Sequence, residues 1–388
     1  MEGWLLYILV LVAIATGWFL GRRERSSDRV VHGPDYYERI NYLLNEQPDR
    51  AVASFIQDLE VNADTLDTHL ALGSLLRRRG ELDKAVVVHE NILAGKSFGR
   101  DVMLNVQMEL ARDYLLAGLL DRAEALLSEL VNEGGSIRLA ALKMMAEIYE
   151  REKEWEKAIE VSRRLAVGTA AEETESVISH YFCEIAERKV NLGDIDGARA
   201  SISQAIGHDA HNVRASLLLG KIEASEGRHK EAVRALQRIV DQDPGLVAES
   251  LDQLLLSYDQ GELPADELLR YLQAALEKSP SIAIVLVIAR LVRDEQGDEA
   301  VARFIADHLK KNPTIRGLTQ LIDLHMDNTS GVAKQNLLIL RSFAEALVAD
   351  KPAYRCRECG FDGKRLHWHC PSCKTWGSIR PIFGLEGQ

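Results

Sequence analysis

Apolar residues are arranged in two distinct ways along this chain. Near the start they form one continuous block: residues 3–20 contain no charged side chain, and the run from Trp4 through Ile14 continues to Trp18, Phe19 and Leu20. At a rise of about 1.5 Å per residue such a helix spans roughly 27 Å, enough for a bilayer core. Trp4, Trp18 and Phe19 fall where interfacial aromatics belong. A cleaved signal peptide carries positive charge ahead of its apolar stretch, whereas Arg22, Arg23 and Arg25 follow this one. The reading is an uncleaved transmembrane anchor over residues 1–21, and the positive-inside rule places everything after it in the cytoplasm. Residues 22–34, polar and ending in Gly33 and Pro34, read as a linker.

Beyond residue 35 the pattern becomes a helical rhythm with an internal repeat. Ala51, Ala85, Ala123, Ala158, Ala198 and Ala232 lie 34, 38, 35, 40 and 34 residues apart. Twelve residues before the later alanines stand Gly73, Ala111, Ala146, Ala186 and Gly220, small enough to let one helix approach its partner closely. Five residues before them stand Gly80, Gly118, Gly193 and Gly227, with Lys153 as the exception. Glycine there supplies the left-handed conformation that ends one helix and starts the next. Tyr114 and Tyr149 fill the large position of the first helix, and Asp243-Pro244 closes the sixth unit. A period at or a little above 34 residues resembles the tetratricopeptide repeat, two antiparallel helices per unit, over roughly residues 35 to 245.

After Pro244 the repeat degrades while the helical rhythm continues. Helices are expected over residues 246–259, 264–277, 281–295, 298–311, 315–326 and 332–348, punctuated by Gly261, Gly297 and Asn312-Pro313. Pro352 marks the boundary with a C-terminal module, residues 351–388. The expected fold class is therefore all-α: a tetratricopeptide-repeat solenoid over residues 35–350, with an N-terminal transmembrane helix and a small rubredoxin-like or zinc-ribbon metal knuckle at its end. Such a solenoid buries its apolar faces only by stacking neighbours.

Composition sharpens this picture. With 46% hydrophobic and 27% charged residues and nine prolines, the 388-residue chain has the make-up of a folded helical protein. Its formal charge of −12 argues against nucleic acid as a partner, since phosphate binding needs a basic surface. The C-terminal module runs the other way, with seven basic residues against three acidic ones. Those charges read as a solvated surface, or as a basic module that docks onto an acidic body.

Four of the five cysteines fall within eighteen residues, as Cys356-Arg-Glu-Cys359-Gly360 and Cys370-Pro371-Ser372-Cys373. Clustering of this kind reads as metal ligation in a reducing compartment, because a disulfide scaffold spreads its pairs. Two facing C-x-x-C turns complete a thiolate tetrahedron for one ion, iron or zinc. Gly360 allows the positive φ that lets N–H groups point at sulfur, and Pro371 stiffens the second turn. The pattern resembles rubredoxin and the zinc ribbons, but rubredoxins separate their knuckles by a much longer segment than the ten residues here, so a structural site is expected rather than electron transfer.

His367 and His369 flank Cys370 and read as surface or supporting residues rather than ligands. Phe361, Trp368 and Trp376 are expected to pack around the metal site or to dock the module onto the last helices. Cys183 falls at a groove-facing position of the fifth unit and reads as a small hydrophobe. Arg77-Arg78-Arg79 and Arg163-Arg164 read as solvated helix faces, and His208 and His211 as loop residues. No phosphate-binding glycine loop, nucleophile elbow or H-E-x-x-H occurs, which favours a binding protein over an enzyme.

The order of parts, from the apolar block and its arginines to the knuckles with Trp376, resembles the lipopolysaccharide assembly protein B family nearly end to end. That resemblance implies an adaptor in the Gram-negative inner membrane, facing the cytoplasm. It implies partners as well: a membrane-bound ATP-dependent metalloprotease, its client the deacetylase that commits lipid A synthesis, and other lipopolysaccharide assembly proteins. Homo-oligomer formation stays open. The alternative readings are a redox- or metal-sensing scaffold and an assembly chaperone that coordinates envelope biosynthesis enzymes.

Overall fold

The computed structural model describes residues 61–95, 98–166, 171–327, 329–385 and 387, so the expected anchor, the linker and the first repeat alanine, Ala51, lie outside the described residues. No helix among the described residues is long and apolar enough to cross a membrane. The chain divides into two compact units, residues 1–130 and 131–388.

In the first unit, α1 (Leu66–Arg78) pairs with α2 (Leu82–Ala94), and α3 (Arg100–Ala117) with α4 (Leu120–Leu130). Each hairpin turns through a left-handed residue, Gly80 at φ 80° and Gly118 at φ 76°. The repeat alanines Ala85 and Ala123 are fully buried. Gly73 is required by packing: a Cβ there would lie 2.5 Å from the His89 ring.

That ring is part of a buried polar cluster. His89 Nδ1 contacts Asp113, whose other oxygen lies 2.8 Å from Arg77 Nη1, and Arg77 also pairs with Glu109. Asp113 and His89 are completely buried. Arg77 therefore corrects the expectation of a solvated face. It joins two consecutive repeats by a buried ion pair, an arrangement whose half-removal leaves an uncompensated charge.

The second unit continues the hairpins with α5 (Gly135–Glu152) and α6 (Trp155–Ala166), α7 (Ala171–Asn191) and α8 (Ile195–His208), and α9 (Val213–Ser225) and α10 (His229–Gln237). Lys153 takes the left-handed conformation at φ 59° where the other turns use glycine. Its N–H still caps the preceding helix, bonding to the Glu150 carbonyl at 3.2 Å. Gly220 keeps its role, since a Cβ there would meet Leu236 at 2.5 Å.

A single turn, α11 (Ile239–Gln242), leads to Asp243, whose side chain accepts from the Gly245 N–H at 3.0 Å. The segment expected to be helical over 246–259 begins instead as a 3₁₀ stretch, Pro244–Ser250, before α12 (Leu251–Gln260). An Asp cap followed at once by proline favours this tighter start. Then come α13 (Ala265–Lys278), α14 (Ile282–Lys311), α15 (Ile315–Asp327) and α16 (Val332–Val348). The interruption expected at Gly297 is present as a kink inside α14, with φ 77° and ψ 165°. A small antiparallel sheet ends the chain: β1 (Tyr354–Cys356) lies between β2 (Asp362–Gly363) and β3 (Ile379–Pro381).

Candidate metal centre and its docking surface

The sheet register sets the first knuckle. Cys356 ends β1 opposite Ile379, and the chain turns back through Gly360 at φ 75°, whose N–H bonds to the Cys356 carbonyl at 3.1 Å. The second knuckle repeats the turn with Lys374 at φ 61°, its N–H 3.0 Å from the Cys370 carbonyl. The two turns face each other. Cys356 Sγ lies 3.7 Å from Cys373 Sγ, Cys359 Sγ lies 3.8 Å from Cys370 Sγ, and all four sulfurs fall within 4.8 Å of one another. A tetrahedron with metal–sulfur bonds of about 2.3 Å has edges of about 3.8 Å, so the donor set fits one thiophilic ion.

The thiols are unequal. The Ser378 hydroxyl, 3.3 Å away, with the N–H groups of Cys359 and Glu358, lowers Cys356 to about 6. Contacts with Thr375 lower Cys373. Burial pushes Cys370 up to about 11, although the Cys373 and Ser372 N–H groups oppose it. A bound dication reverses that last effect, because it stabilises the thiolate directly. Tyr354, Phe361 and Leu366 pack round the buried Cys356, Cys370 and Ile379. This core is too small to hold the module together without the ion.

Trp376, three residues beyond Cys373, leaves the module and enters the solenoid. Its indole stacks on His369 at 4.3 Å and on His180 at 5.3 Å, and meets Tyr181 and Trp155 edge to face at 5.8 and 6.1 Å. The indole N–H donates to Glu150 Oε1 at 2.9 Å, and the Tyr181 hydroxyl donates to the same oxygen at 2.6 Å. The Arg214 guanidinium lies 5.9 Å from the ring centroid and is held by Glu184 and Glu187. Gly377 follows at φ 59°, with a hypothetical Cβ 3.1 Å from His180 Nε2. Burial, then the charges of Arg214, Arg380 and His369, depress His180 to about 3, so this ring is neutral.

Further contacts extend the seam. The Tyr354 hydroxyl donates to Glu249 at 2.8 Å, and Arg380 Nε lies 2.7 Å from Asp243 Oδ2. Leu366 and Trp368 pack against the cluster built on Leu236, Leu246 and Leu272. Near the end of the chain, the Ile315 N–H bonds to the Leu385 carbonyl at 2.9 Å.

Docking therefore does occur, but mainly on α5–α9 and the Pro244–Ser250 stretch rather than on the last helices. Phe361 belongs to the module's own core, while Trp368 and Trp376 are the docking residues. His369 stacks on Trp376 and its Nε2–H donates to the Lys374 carbonyl, 2.8 Å away. His367 meets Phe361 edge to face. Neither histidine joins the four sulfurs in the metal-holding cluster.

Cys183 is fully buried among Ala186, Ala198 and Ile202, and burial raises its thiol to about 12, which makes it an inert core residue. His208 ends α8, stacks on Phe182 and contacts Glu175. Glu150, Trp155, His180, Tyr181 and Arg214 escaped sequence reasoning. The unusual Trp155, beside the one turn that lacks glycine, was the only local hint.

Comparison with known proteins agrees with this architecture. Residues 354–381 match a rubredoxin metal binding domain and residues 183–247 a tetratricopeptide repeat. The chain is 36% identical over 388 residues to lipopolysaccharide assembly protein B of Escherichia coli strain K12, covering 99% of each chain. It is 29% identical over 396 residues to the protein of that name from Haemophilus influenzae, covering 98% of this chain and 99% of that one. A helical repeat scaffold sealed to a four-thiol knuckle, matched end to end at this identity, belongs to the lipopolysaccharide assembly protein B family.

Proposed function

We propose that the chain is a membrane-tethered adaptor that restrains lipopolysaccharide synthesis. In this reading residues 3–20 anchor it in the inner membrane with its bulk on the cytoplasmic side. There it brings the deacetylase of the committed lipid A step to a membrane-bound ATP-dependent metalloprotease. The observation that carries the reading is the end-to-end likeness to assembly proteins combined with a site built for binding. Its aromatic and carboxylate groups are spent on holding the module, and the four thiols suit a structural ion.

The contribution to proteolysis is proximity. An anchor and a rigid scaffold raise the effective concentration of client at protease without any chemistry of their own. The metal, iron or zinc, would be held by Cys356, Cys359, Cys370 and Cys373 and would supply folding free energy to the module.

Replacement of the chromosomal gene by a Cys359→Ser variant tests this directly. The deacetylase level is expected to rise several-fold, with its half-life lengthened. An unchanged deacetylase half-life in cells lacking the protein altogether would sink the adaptor reading.

A further inference from the structure

The helix that ends the solenoid is apolar on two sides. Its inner side carries buried Ala344 with half-buried Leu337 and Val348, and packs on α15. Its outer side carries Val332, Ile339, Leu340, Phe343 and Leu347, which are 73, 52, 55, 64 and 63% exposed. At 100° per residue these five fall within one stripe about a third of the helix circumference wide. Lys334, Arg341 and Glu345, the charged residues of α16, fall on the opposite side, where Arg341 pairs with Asp323 at 2.9 Å and Glu345 at 3.2 Å.

Solenoids ordinarily close with a polar outer face. This end is the reverse. The C-terminal module that follows does not cover it, since that module docks on Glu150, His180, Asp243 and Glu249.

We propose that this stripe is the contact through which two copies of the chain pair, α16 against α16 about a twofold axis. Val332, Asn336, Ile339 and Phe343 follow one another at spacings of four, three and four, the seam of a helix pair. A single asparagine within such a seam selects register at some cost in stability. Because no charge lies on the stripe, it meets its own copy without repulsion, as an isologous contact requires.

The area also agrees. Five side chains exposed to this degree present on the order of 500 Å² per copy, at the upper end of what monomers leave bare. Pairing covers roughly 1,000 Å² in total, the threshold for a specific interface. A membrane surface is a poorer match, because interfacial helices carry Lys and Arg along the polar margin, and here the arginine is already engaged by two carboxylates.

The test is the mass of the full chain, metal-loaded and solubilised in detergent, measured by light scattering with the detergent contribution subtracted. Twice the chain mass of 43.3 kDa is expected for the natural protein, and a single chain mass for the I339E/F343E variant. The substituted side chains are exposed, so the variant's circular dichroism and metal content should match the natural protein and exclude misfolding. A natural protein of single-chain mass overturns the proposal, as does a variant that stays paired, which would place the contact elsewhere. Hydrogen exchange of residues 332–348 covers the remaining occupant: a natural chain of single mass whose α16 gains protection on transfer from detergent to phosphatidylcholine vesicles, while that of the I339E/F343E variant does not, assigns the stripe to lipid and overturns the pairing.

Discussion

Two parts of the second unit treat their apolar surface in opposite ways. Around α5–α9 the solenoid receives a part of its own chain: Trp376 fills a recess between Trp155, His180 and Tyr181, and its polar edge is satisfied by Glu150. At α16 an apolar stripe stays bare, with Val332, Phe343 and Leu347 each more than 60% exposed. The difference teaches that a repeat array does not dictate where it binds. Every unit has a similar backbone, and the site appears where one unit offers an aromatic recess with a carboxylate at its base. The groove at α5–α9 is thereby taken by the metal module, so a partner of the adaptor has to use the composite surface or another face.

Removing the ion tests the docked side most severely. Structural four-ligand sites contribute about 10–16 kcal/mol, so a Cys370→Ser variant is expected to lose its metal and unfold residues 351–388. Tryptophan fluorescence should shift to the red as Trp376 enters water, while the helical circular dichroism remains. A Trp376 that stays buried in metal-free protein would show that docking, not ligation, holds the module.

Truncating the plug alone is the next largest change. Trp376→Ala should cost about 3–5 kcal/mol of docking, seen as rapid protease release of the C-terminal module at unchanged metal content. Bare α16 gives no such response on its own fold.

Lower pH should loosen the docked side more gently. Because His180 is depressed from 6.5 to about 3 in the folded protein, the unfolded chain binds the extra proton between those values. Its stabilising contribution is therefore full above pH 6.5 and declines as pH falls, by about 1.4 kcal/mol per unit. Between pH 7 and 5.5, where the unfolded imidazole is only beginning to charge, the unfolding free energy should fall by about 1 kcal/mol in the natural protein and by less in His180→Gln; equal losses would remove His180 from the account.

The smallest effect is expected at the bare helix. Ile339→Ser, measured at concentrations low enough to keep the chain single, should change unfolding free energy by no more than about 0.5 kcal/mol. A larger loss would mean that the stripe is covered from within the chain.

Much of this was legible in the residues. The buried alanines and the left-handed turns at Gly80, Gly118, Gly193 and Gly227 follow from local sterics that recur in every unit. The sulfur cluster follows from two C-x-x-C turns whose geometry is set within a few residues. Lys153 was legible only as an exception, because the hairpin around it imposes a conformation that lysine does not choose. Arg77 was misread as solvated since its partners, Glu109 and Asp113, belong to the next repeat. Nothing in periodicity announces which charges on a helix face a neighbour.

The sequence by itself determined the repeat register, the turns that join paired helices and the grouping of the four cysteines, all of which depend on contacts between residues close in the chain. Only the tertiary structure decided where the metal module rests. Trp376 and Glu150 are 226 positions apart, and their meeting depends on the curvature accumulated over several stacked hairpins. The same stacking decided that α16 keeps an apolar side with no neighbour among the described residues, because whether a helix face is buried depends on what arrives beside it.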